Sequence, residues 1–134
     1  MPPLFDVRNQ VIIVTGAAGL IGKEFVRTLY AENARVALAD INAPALHHLA
    51  TSMDSERILV CPADISDPQS VKRMVESVEH RFGRIDGLVN SAAVDPKFDQ
   101  EHSDQHANRF EDYPLALWKQ SLDVNLTGAF LCSQ

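Results

Sequence analysis

Three glycines in the stretch VTGAAGLIG, residues 14–22, could form a phosphate-binding turn. Gly16, Gly19 and Gly22 follow an apolar run and precede a segment that reads as a helix. In such a strand-turn-helix the first glycine allows a sharp exit from the strand, the second lets backbone approach a pyrophosphate, and the third lets the helix pack near the sheet. Val14 stands where the simple G-x-G-x-x-G fingerprint has its first glycine, so a purely structural turn is the alternative.

Asp40, eighteen residues after Gly22, is the second candidate. An acid at the end of the second predicted strand is placed to bind the ribose hydroxyls of an adenosine. Ile41 and Asn42 follow it, so no adjacent Arg or Lys is available for a 2′-phosphate. A second negative charge about 4 Å from Asp40 would cost roughly 1–4 kcal/mol. The pattern therefore favours NAD over NADP, and the alternative role of Asp40 is a cap for the following helix.

Four apolar runs predict the strands that position these residues: 11–15, 35–39, 57–61 and 87–90. Segments with helical periodicity alternate with them. In the first helix, Ile21, Phe25 and Leu29 recur at four-residue steps. In the third, an Asp67-Pro68 start signal precedes a valine face at 71, 75 and 78.

This alternation predicts an α/β fold with a doubly wound, parallel, Rossmann-like sheet in the order β-α-β-α-β-α-β-α. In such sheets ligands bind beyond the carboxyl ends of the strands. Residues 114–134 are interpreted as helical, with no glycine cap and no following strand. Four strands would leave the fourth as a bare edge, so we expect the chain to be part of a longer protein, with residues 1–134 as its nucleotide-binding domain.

Composition limits the function classes. The chain has 134 residues, of which 46% are hydrophobic, and a net charge of −6. No basic stripe is present to bind a nucleic-acid backbone, and no segment has the length of a membrane span. The N-terminus lacks the features of a secretory signal, so we expect cytoplasmic residence. Cys61 and Cys132 are interpreted as small core residues of a reduced compartment.

Five sequence elements together resemble the short-chain dehydrogenase/reductase family. They are the glycine turn, Asp40, Asp64-Ile65 after the third strand, the segment NSAA at 90–93 after the fourth, and DVNLTG at 123–128. The resemblance covers nearly the whole chain. It implies an oxidoreductase that interconverts an alcohol and a ketone by hydride transfer to or from NAD, in a homodimer or homotetramer.

The resemblance also implies a role for each matching residue. Asp64 and the Ile65 backbone would bind adenine, Asn90 would brace the fourth strand and floor the cofactor site, and Asn125 would be the active-site asparagine that holds a water in a proton relay. The alternatives are a turn for Asn90 and a helix cap for Asp64, a cap better supplied by Asp67. The residues expected to contact the cofactor are Thr15, Gly16, Ala18, Gly19, Leu20, Ile21, Gly22, Asp40, Ile41, Asp64, Ile65, Asn90, Ser91, Ala92 and Ala93.

The family's tyrosine and lysine, four residues apart, are not found here. Tyr30 lies inside the first helix, and Tyr113 is followed four residues later by Leu117. Because an alcohol does not lose its proton unaided at neutral pH, we expect this chain alone to be inactive. The glycine spacing resembles the family's extended branch, whereas NSAA and LDVNLTG resemble its compact branch. An extended-type nucleotide-sugar epimerase or dehydratase and a non-catalytic NAD sensor are therefore the alternative functions.

Other polar and aromatic residues have weaker interpretations. His102 and His106, among the acids of segment 97–110, have helical metal-ligand spacing, but we interpret the segment as a polar loop beside the substrate cleft. No metal site is predicted. The remaining histidines are expected to be solvated. An aromatic and apolar group could line a substrate site or anchor the last helix on the core: Phe110, Tyr113, Leu117 and Trp118.

Overall fold

The computed structural model describes residues 4–95 and 110–134. Within them the strands are β1 (Val11–Thr15), β2 (Arg35–Asp40), β3 (Ile58–Pro62) and β4 (Gly87–Asn90). The helices are α1 (Leu20–Ala31), α2 (Ala43–Ala50), α3 (Pro68–Phe82), α4 (Leu115–Leu122) and α5 (Ala129–Ser133). A π-helical segment, Asp123–Gly128, joins the last two, and a 3₁₀ turn, Phe110–Asp112, precedes α4.

The four strands form one parallel sheet in the order β3-β2-β1-β4. The α/β fold and the strand positions predicted from the sequence are confirmed to within one residue. Every residue of β1 is buried, because this strand pairs with neighbours on both sides and is covered on both faces. In the described part of the chain, β4 pairs with β1 alone, as the sequence predicted for the edge strand.

Alternate residues of each strand point into two cores on opposite faces of the sheet. Ile13 and Ala37 pack on one face with α3 and α5, whereas Val14 and Leu38 pack on the other with α1 and α2. The predicted valine face of α3 lies in the first core. Asp67 caps that helix by accepting a hydrogen bond from the Gln69 amide at 3.0 Å.

The apolar residues that recur along α1 do not all face the sheet, although Leu29 is half-buried against the core that α1 and α2 cover. Ile21 and Phe25 are exposed, whereas Gly22 and Val26 are buried. Gly22 lies so close to the end of β1 that a Cβ there would meet the Gly16 carbonyl oxygen at 2.0 Å. The rotation of the helix is therefore set by this close approach of two backbones, and the largest apolar side chains do not decide it.

Candidate functional site

A cleft of about 530 Å³ opens at the carboxyl ends of the strands, where the sequence predicted the ligand site. The turns after all four strands contribute to it, and α4 with the start of the π-helical segment adds a further wall. Nine of the predicted residues line this cleft: Gly16, Gly19, Asp40, Ile41, Asp64, Ile65, Ser91, Ala92 and Ala93.

The other predicted residues lie around the cleft and not on its surface. Some support its walls, as the contacts below show, and two, Leu20 and Ile21, are exposed at the start of α1. The seven outside the lining are Thr15, Ala18, Leu20, Ile21, Gly22, Asn90 and Asn125. Their predicted contacts with a cofactor or a reacting group stay predictions.

The glycine turn has the geometry that its sequence predicted at two of its three glycines. Gly16 has φ +66°, and a Cβ there would lie 2.6 Å from the Ala92 Cα, so both conformation and space exclude a side chain. Gly22 permits the contact of α1 with the turn. Gly19 begins α1 and donates its N–H to the Gly16 carbonyl at 3.0 Å. The first amides of α1 have no partner within the helix, as at any helix start.

Asp40 joins the end of β2 to the glycine turn. Its Oδ2 accepts a hydrogen bond from the Ala18 amide at 3.0 Å, and its Oδ1 accepts one from the Asn42 amide at 2.9 Å. Asn42, and not Asp40, caps α2 by accepting from the Ala45 amide at 3.1 Å. The alternative role of Asp40 as the helix cap is therefore wrong, and its carboxylate lies on the cleft wall.

Asp64 forms the turn that follows β3. Its Oδ1 accepts hydrogen bonds from the Ser66 amide at 2.9 Å and the Ser66 hydroxyl at 2.6 Å, and the Asp64 amide donates to the Ser70 hydroxyl at 3.0 Å. These bonds hold the exposed Asp64 and the adjacent buried Ile65 at the cleft. Because Asp67 is the cap of α3, Asp64 is not needed for that role.

Thr15 is fully buried beneath the cleft and joins β1 to the turn after β4. Its Oγ1 accepts hydrogen bonds from the amides of Ser91 and Ala92, both at 3.2 Å, and donates to the Val89 carbonyl at 3.4 Å. The hydroxyl thus fixes the backbone that packs on Gly16. Asn90, the register partner of Thr15, is exposed, and its side-chain amide donates to the Ser133 hydroxyl at 3.2 Å.

Asn125 holds the far end of that same turn. Its Oδ1 accepts from the Val94 amide at 2.8 Å and its Nδ2 donates to the Val94 carbonyl at 3.0 Å. Asn125 is exposed, and both of these bonds are to backbone. Gly128 ends the same segment, where a Cβ would lie 2.6 Å from the Ile65 Cδ1. The π-helical segment can therefore pack closely on the turn after β3.

The wall that α4 contributes was not predicted from the sequence. Lys119 is the one basic residue among those that line the cleft, against the acids Asp40, Asp64 and Asp123. Its position could not be read from a local pattern, because only tertiary packing brings α4 to the strand ends. The lining residues that were not predicted are Ala39, Ala63, Ser66, Val94, Ala116, Lys119, Gln120, Asp123 and Val124.

The other reactive side chains have structural roles or are solvated. Burial raises the pKa of the Cys61 thiol to about 11 and also raises that of Cys132, so neither is an activated nucleophile. The Tyr30 hydroxyl accepts from the Asp54 amide at 2.8 Å. The histidines at 47, 48 and 80 are exposed, as predicted.

Four residues before and within α4 were expected either to line a substrate site or to anchor the last helix. None of them lines the cleft, and only Tyr113 and Leu117 are half-buried. Phe110 is 92% exposed and Trp118 is 52% exposed. The candidate metal residues, including His102 and His106, lie outside the described residues. Within residues 4–95 and 110–134, no group of three or more His, Cys, Asp or Glu could hold a metal ion. In the same ranges, no helix has both the length and the apolar character needed to cross a membrane.

Comparisons with known proteins place this geometry among dehydrogenases. The family model described as short chain dehydrogenase matches residues 10–134. The chain is 34% identical, over 95% of its length, to 47% of a 2,5-dichloro-2,5-cyclohexadiene-1,4-diol dehydrogenase from Sphingobium indicum. It is 31% identical, over 96% of its length, to 46% of a levodione reductase from Leifsonia aquatica.

A solved structure shares the fold as well as the sequence. It is a short-chain dehydrogenase/reductase, named glucose/ribitol dehydrogenase, from Brucella melitensis. The TM-score is 0.84 with 31% identity, and the match covers 96% of this chain and 51% of that one. The chain spans about half the length of the curated relatives it matches.

Proposed function

The chain belongs to the short-chain dehydrogenase family, and from that premise we propose that residues 1–134 form the NAD-binding domain of an oxidoreductase. One observation carries the proposal: the glycine turn and Asp40 lie in a single cleft, bonded to each other through the Ala18 amide at 3.0 Å. A dinucleotide needs a side-chain-free turn for its pyrophosphate and an acid for its ribose, and both are present here.

The cleft fits such a ligand on grounds of shape. At Gly16 a Cβ would meet the Ala92 Cα at 2.6 Å, so the turn packs directly on the segment after β4, and both line the cleft. The volume of about 530 Å³ lies within the range of about 300–1,000 Å³ that small-molecule sites occupy. Asp64 and Ile65 lie on the wall contributed by β3, where we propose that they bind the adenine.

Bound NAD supplies the hydride acceptor or donor, and the protein residues bind and orient it. We propose that Gly16 and Gly19 contact the pyrophosphate, that Asp40 binds the ribose hydroxyls, and that Ser91 to Ala93 support the nicotinamide half. Thr15 and Asn125 fix the two ends of that last segment. The further role of Asn125 in holding a water stays a prediction.

The proposed reaction is the interconversion of an alcohol and a ketone. Two relatives are named for such chemistry, one as a diol dehydrogenase and one as a levodione reductase. The family resemblance assigns proton transfer to a tyrosine and lysine that do not occur at that spacing among these 134 residues. We therefore propose that this chain by itself binds the cofactor without turnover. We also propose that the protein is located in the cytoplasm.

Titration with NADH, followed by nicotinamide fluorescence, tests the proposal. Saturable binding that ADP-ribose reverses is expected, since both ligands share the adenosine and the pyrophosphate. The variant Gly16→Val fills the turn and is expected to abolish binding. Gly83→Val is its matched control, because it places the same side chain far from the cleft. Absence of saturable NADH binding to the folded protein would overturn the proposal.

We also propose that the protein is a homodimer or homotetramer. A row of exposed apolar side chains supports this, at spacings of three or four residues along α4 and the segments after it: Leu115, Trp118, Leu122, Leu126 and Phe130. Light scattering on wild type and Trp118→Ser tests it, with Leu4→Ser as a control at an exposed apolar residue elsewhere. A monomeric wild type would refute the assembly.

A further inference from the structure

The carboxylate of Asp40 makes contacts within the protein that binding of a ribose would not require. Its two oxygens each accept one backbone amide, Ala18 in the glycine turn and Asn42 before α2. The preceding residues add a parallel link, because the Ala17 amide donates to the Ala39 carbonyl at 3.1 Å. The end of β2 therefore holds two consecutive residues of the turn, one through backbone and one through a charged side chain.

The position of Ala18 decides how the turn faces the cleft. It lies between Gly16, which leaves β1 with φ +66°, and Gly19, which begins α1. The turn is also closed on itself by the hydrogen bond from the Gly19 amide to the Gly16 carbonyl at 3.0 Å. Fixing the Ala18 amide therefore fixes the peptide that leads into the first unpaired amides of α1.

We propose that Asp40 is the positioning residue of the phosphate turn as well as the reader of the ribose. This inference rests on the proposed function, because it concerns how the same site binds a diphosphate. A hydrogen bond from an amide to a carboxylate is stronger than one between neutral groups, so its loss removes the stronger of the two bonds that tie the turn to the end of β2. Recognition of the sugar and recognition of the phosphates are then coupled through one side chain.

The two roles of Asp40 predict effects of opposite sign on phosphate binding. If Asp40 only read the ribose, removing its negative charge would leave phosphate binding unchanged or strengthen it, since like charges repel. If Asp40 also positions the turn, the same change weakens phosphate binding. The contribution of the second phosphate can be isolated by comparing AMP with ADP, because the two ligands share the ribose and any loss there cancels.

The experiment measures the dissociation constants of AMP and ADP for wild type, Asp40→Asn and Asp123→Asn by calorimetry. Asp123→Asn is the matched control, since it removes another carboxylate of the cleft lining for which no ligand contact is proposed. The affinity gained from AMP to ADP is expected to fall about three- to tenfold in Asp40→Asn and not in Asp123→Asn. An unchanged or larger gain in Asp40→Asn would overturn the inference.

A second measurement needs no ligand. Hydrogen exchange at the Ala18 amide, resolved by NMR, is expected to be faster in Asp40→Asn than in wild type and unchanged in Asp123→Asn. Equal exchange at Ala18 in all three proteins would refute the positioning role. If wild type binds neither ADP nor NADH, the proposed function fails, while the exchange rates still decide whether Asp40 holds the turn.

Discussion

Asn125 and Val94 form a reciprocal pair of hydrogen bonds, in which one side-chain amide bonds both the N–H and the carbonyl of one backbone residue, at 2.8 and 3.0 Å. The pair joins residues 31 positions apart in the chain. It ties the segment after β4 to the π-helical segment, and Val94 and Val124 both line the cleft. The geometry of one cleft wall therefore depends on a single asparagine side chain.

Replacing Asn125 tests this dependence. Asn125→Ala removes both bonds and is expected to lower the free energy of unfolding by about 1 kcal/mol. Asn125→Asp is expected to lower it at least as much, because its second oxygen would face the Val94 carbonyl in place of a donor. Urea unfolding measures both, with Gln69→Ala, an exposed amide on α3, as the control. An Asp variant as stable as wild type would contradict the reciprocal pair.

Gly16 and Gly83 form a natural comparison between crowding and backbone strain. Both have positive φ, +66° and +78°, but a Cβ at Gly16 would meet backbone at 2.6 Å, whereas at Gly83 it would meet nothing within 4 Å. Gly83→Ala is expected to cost about 1 kcal/mol through strain alone. Gly16→Ala adds a clash with the backbone that follows β4, and we expect it to lower the free energy of unfolding by about 1–3 kcal/mol more.

Chemical denaturation of the two alanine variants separates these effects. Equal losses of stability would mean that the turn relaxes away from Ala92 and that the close approach has no energetic weight. A larger loss at Gly16, accompanied by weaker NADH binding, is the expected result. The Gly83 variant is expected to bind NADH as wild type does, because Gly83 ends α3 and does not line the cleft.

The sequence predicted the strands and the edge of the sheet where the cleft lies, because both follow from local patterns. β-branched and apolar runs mark strands directly, and the parallel order places their ends together. The rotation of α1 could not be predicted from its apolar side chains. It follows from the close packing of Gly22 on Gly16, where any side chain at Gly22 would clash. The sequence indicates this contact only through the glycine itself.

The α4 wall of the site was missed for a different physical reason. Lys119 and Gln120 carry no motif, and they reach the cleft only because α4 packs across the strand ends. The hydrogen-bond partner of Asn125 could not be predicted either, because it is a backbone group and every residue has the same backbone groups. Contacts between distant segments through backbone atoms are decided by the assembled fold, and the local patterns do not encode them.

Thr15 offers a test of the link between β1 and the turn after β4. Thr15→Val keeps the shape but removes the hydroxyl, which leaves the amides of Ser91 and Ala92 without their acceptor. We expect a loss of about 1–3 kcal/mol in the free energy of unfolding. Thr15→Ser restores the acceptor and is expected to recover much of it. Valine and serine variants of equal stability would show that the hydroxyl bonds contribute nothing.

We propose that the choice between NAD and NADP depends on Asp40. Wild type is expected to bind NADH more tightly than NADPH, because a 2′-phosphate would lie next to this carboxylate. Asp40→Ala is expected to narrow the ratio of the two affinities. Asp64→Ala changes both affinities alike and leaves the ratio, which makes it the control. Tighter binding of NADPH by wild type would contradict the assignment of Asp40.

Asp86 links the stability of the sheet to pH. Its carboxylate accepts a hydrogen bond from the Val11 amide at 2.8 Å and bonds to the Arg84 guanidinium, and these contacts, the first above all, lower the pKa of Asp86 below its usual 3.8. Since the pKa is lower in the folded state than in the unfolded chain, the contribution of Asp86 is present above about pH 4 and is lost as the pH falls through the lowered value.

Asp86→Asn tests this linkage through urea midpoints measured near pH 7 and near pH 3. The variant is expected to be less stable than wild type near neutrality, where the carboxylate is charged, and closer to wild type in acid, where the contribution of the carboxylate to wild-type stability decreases. Glu111→Gln removes an exposed carboxylate with no ion pair in the described part of the chain, and it is expected to follow wild type. If the gap between wild type and Asp86→Asn were the same at both pH values, the bond to Val11 would not depend on charge.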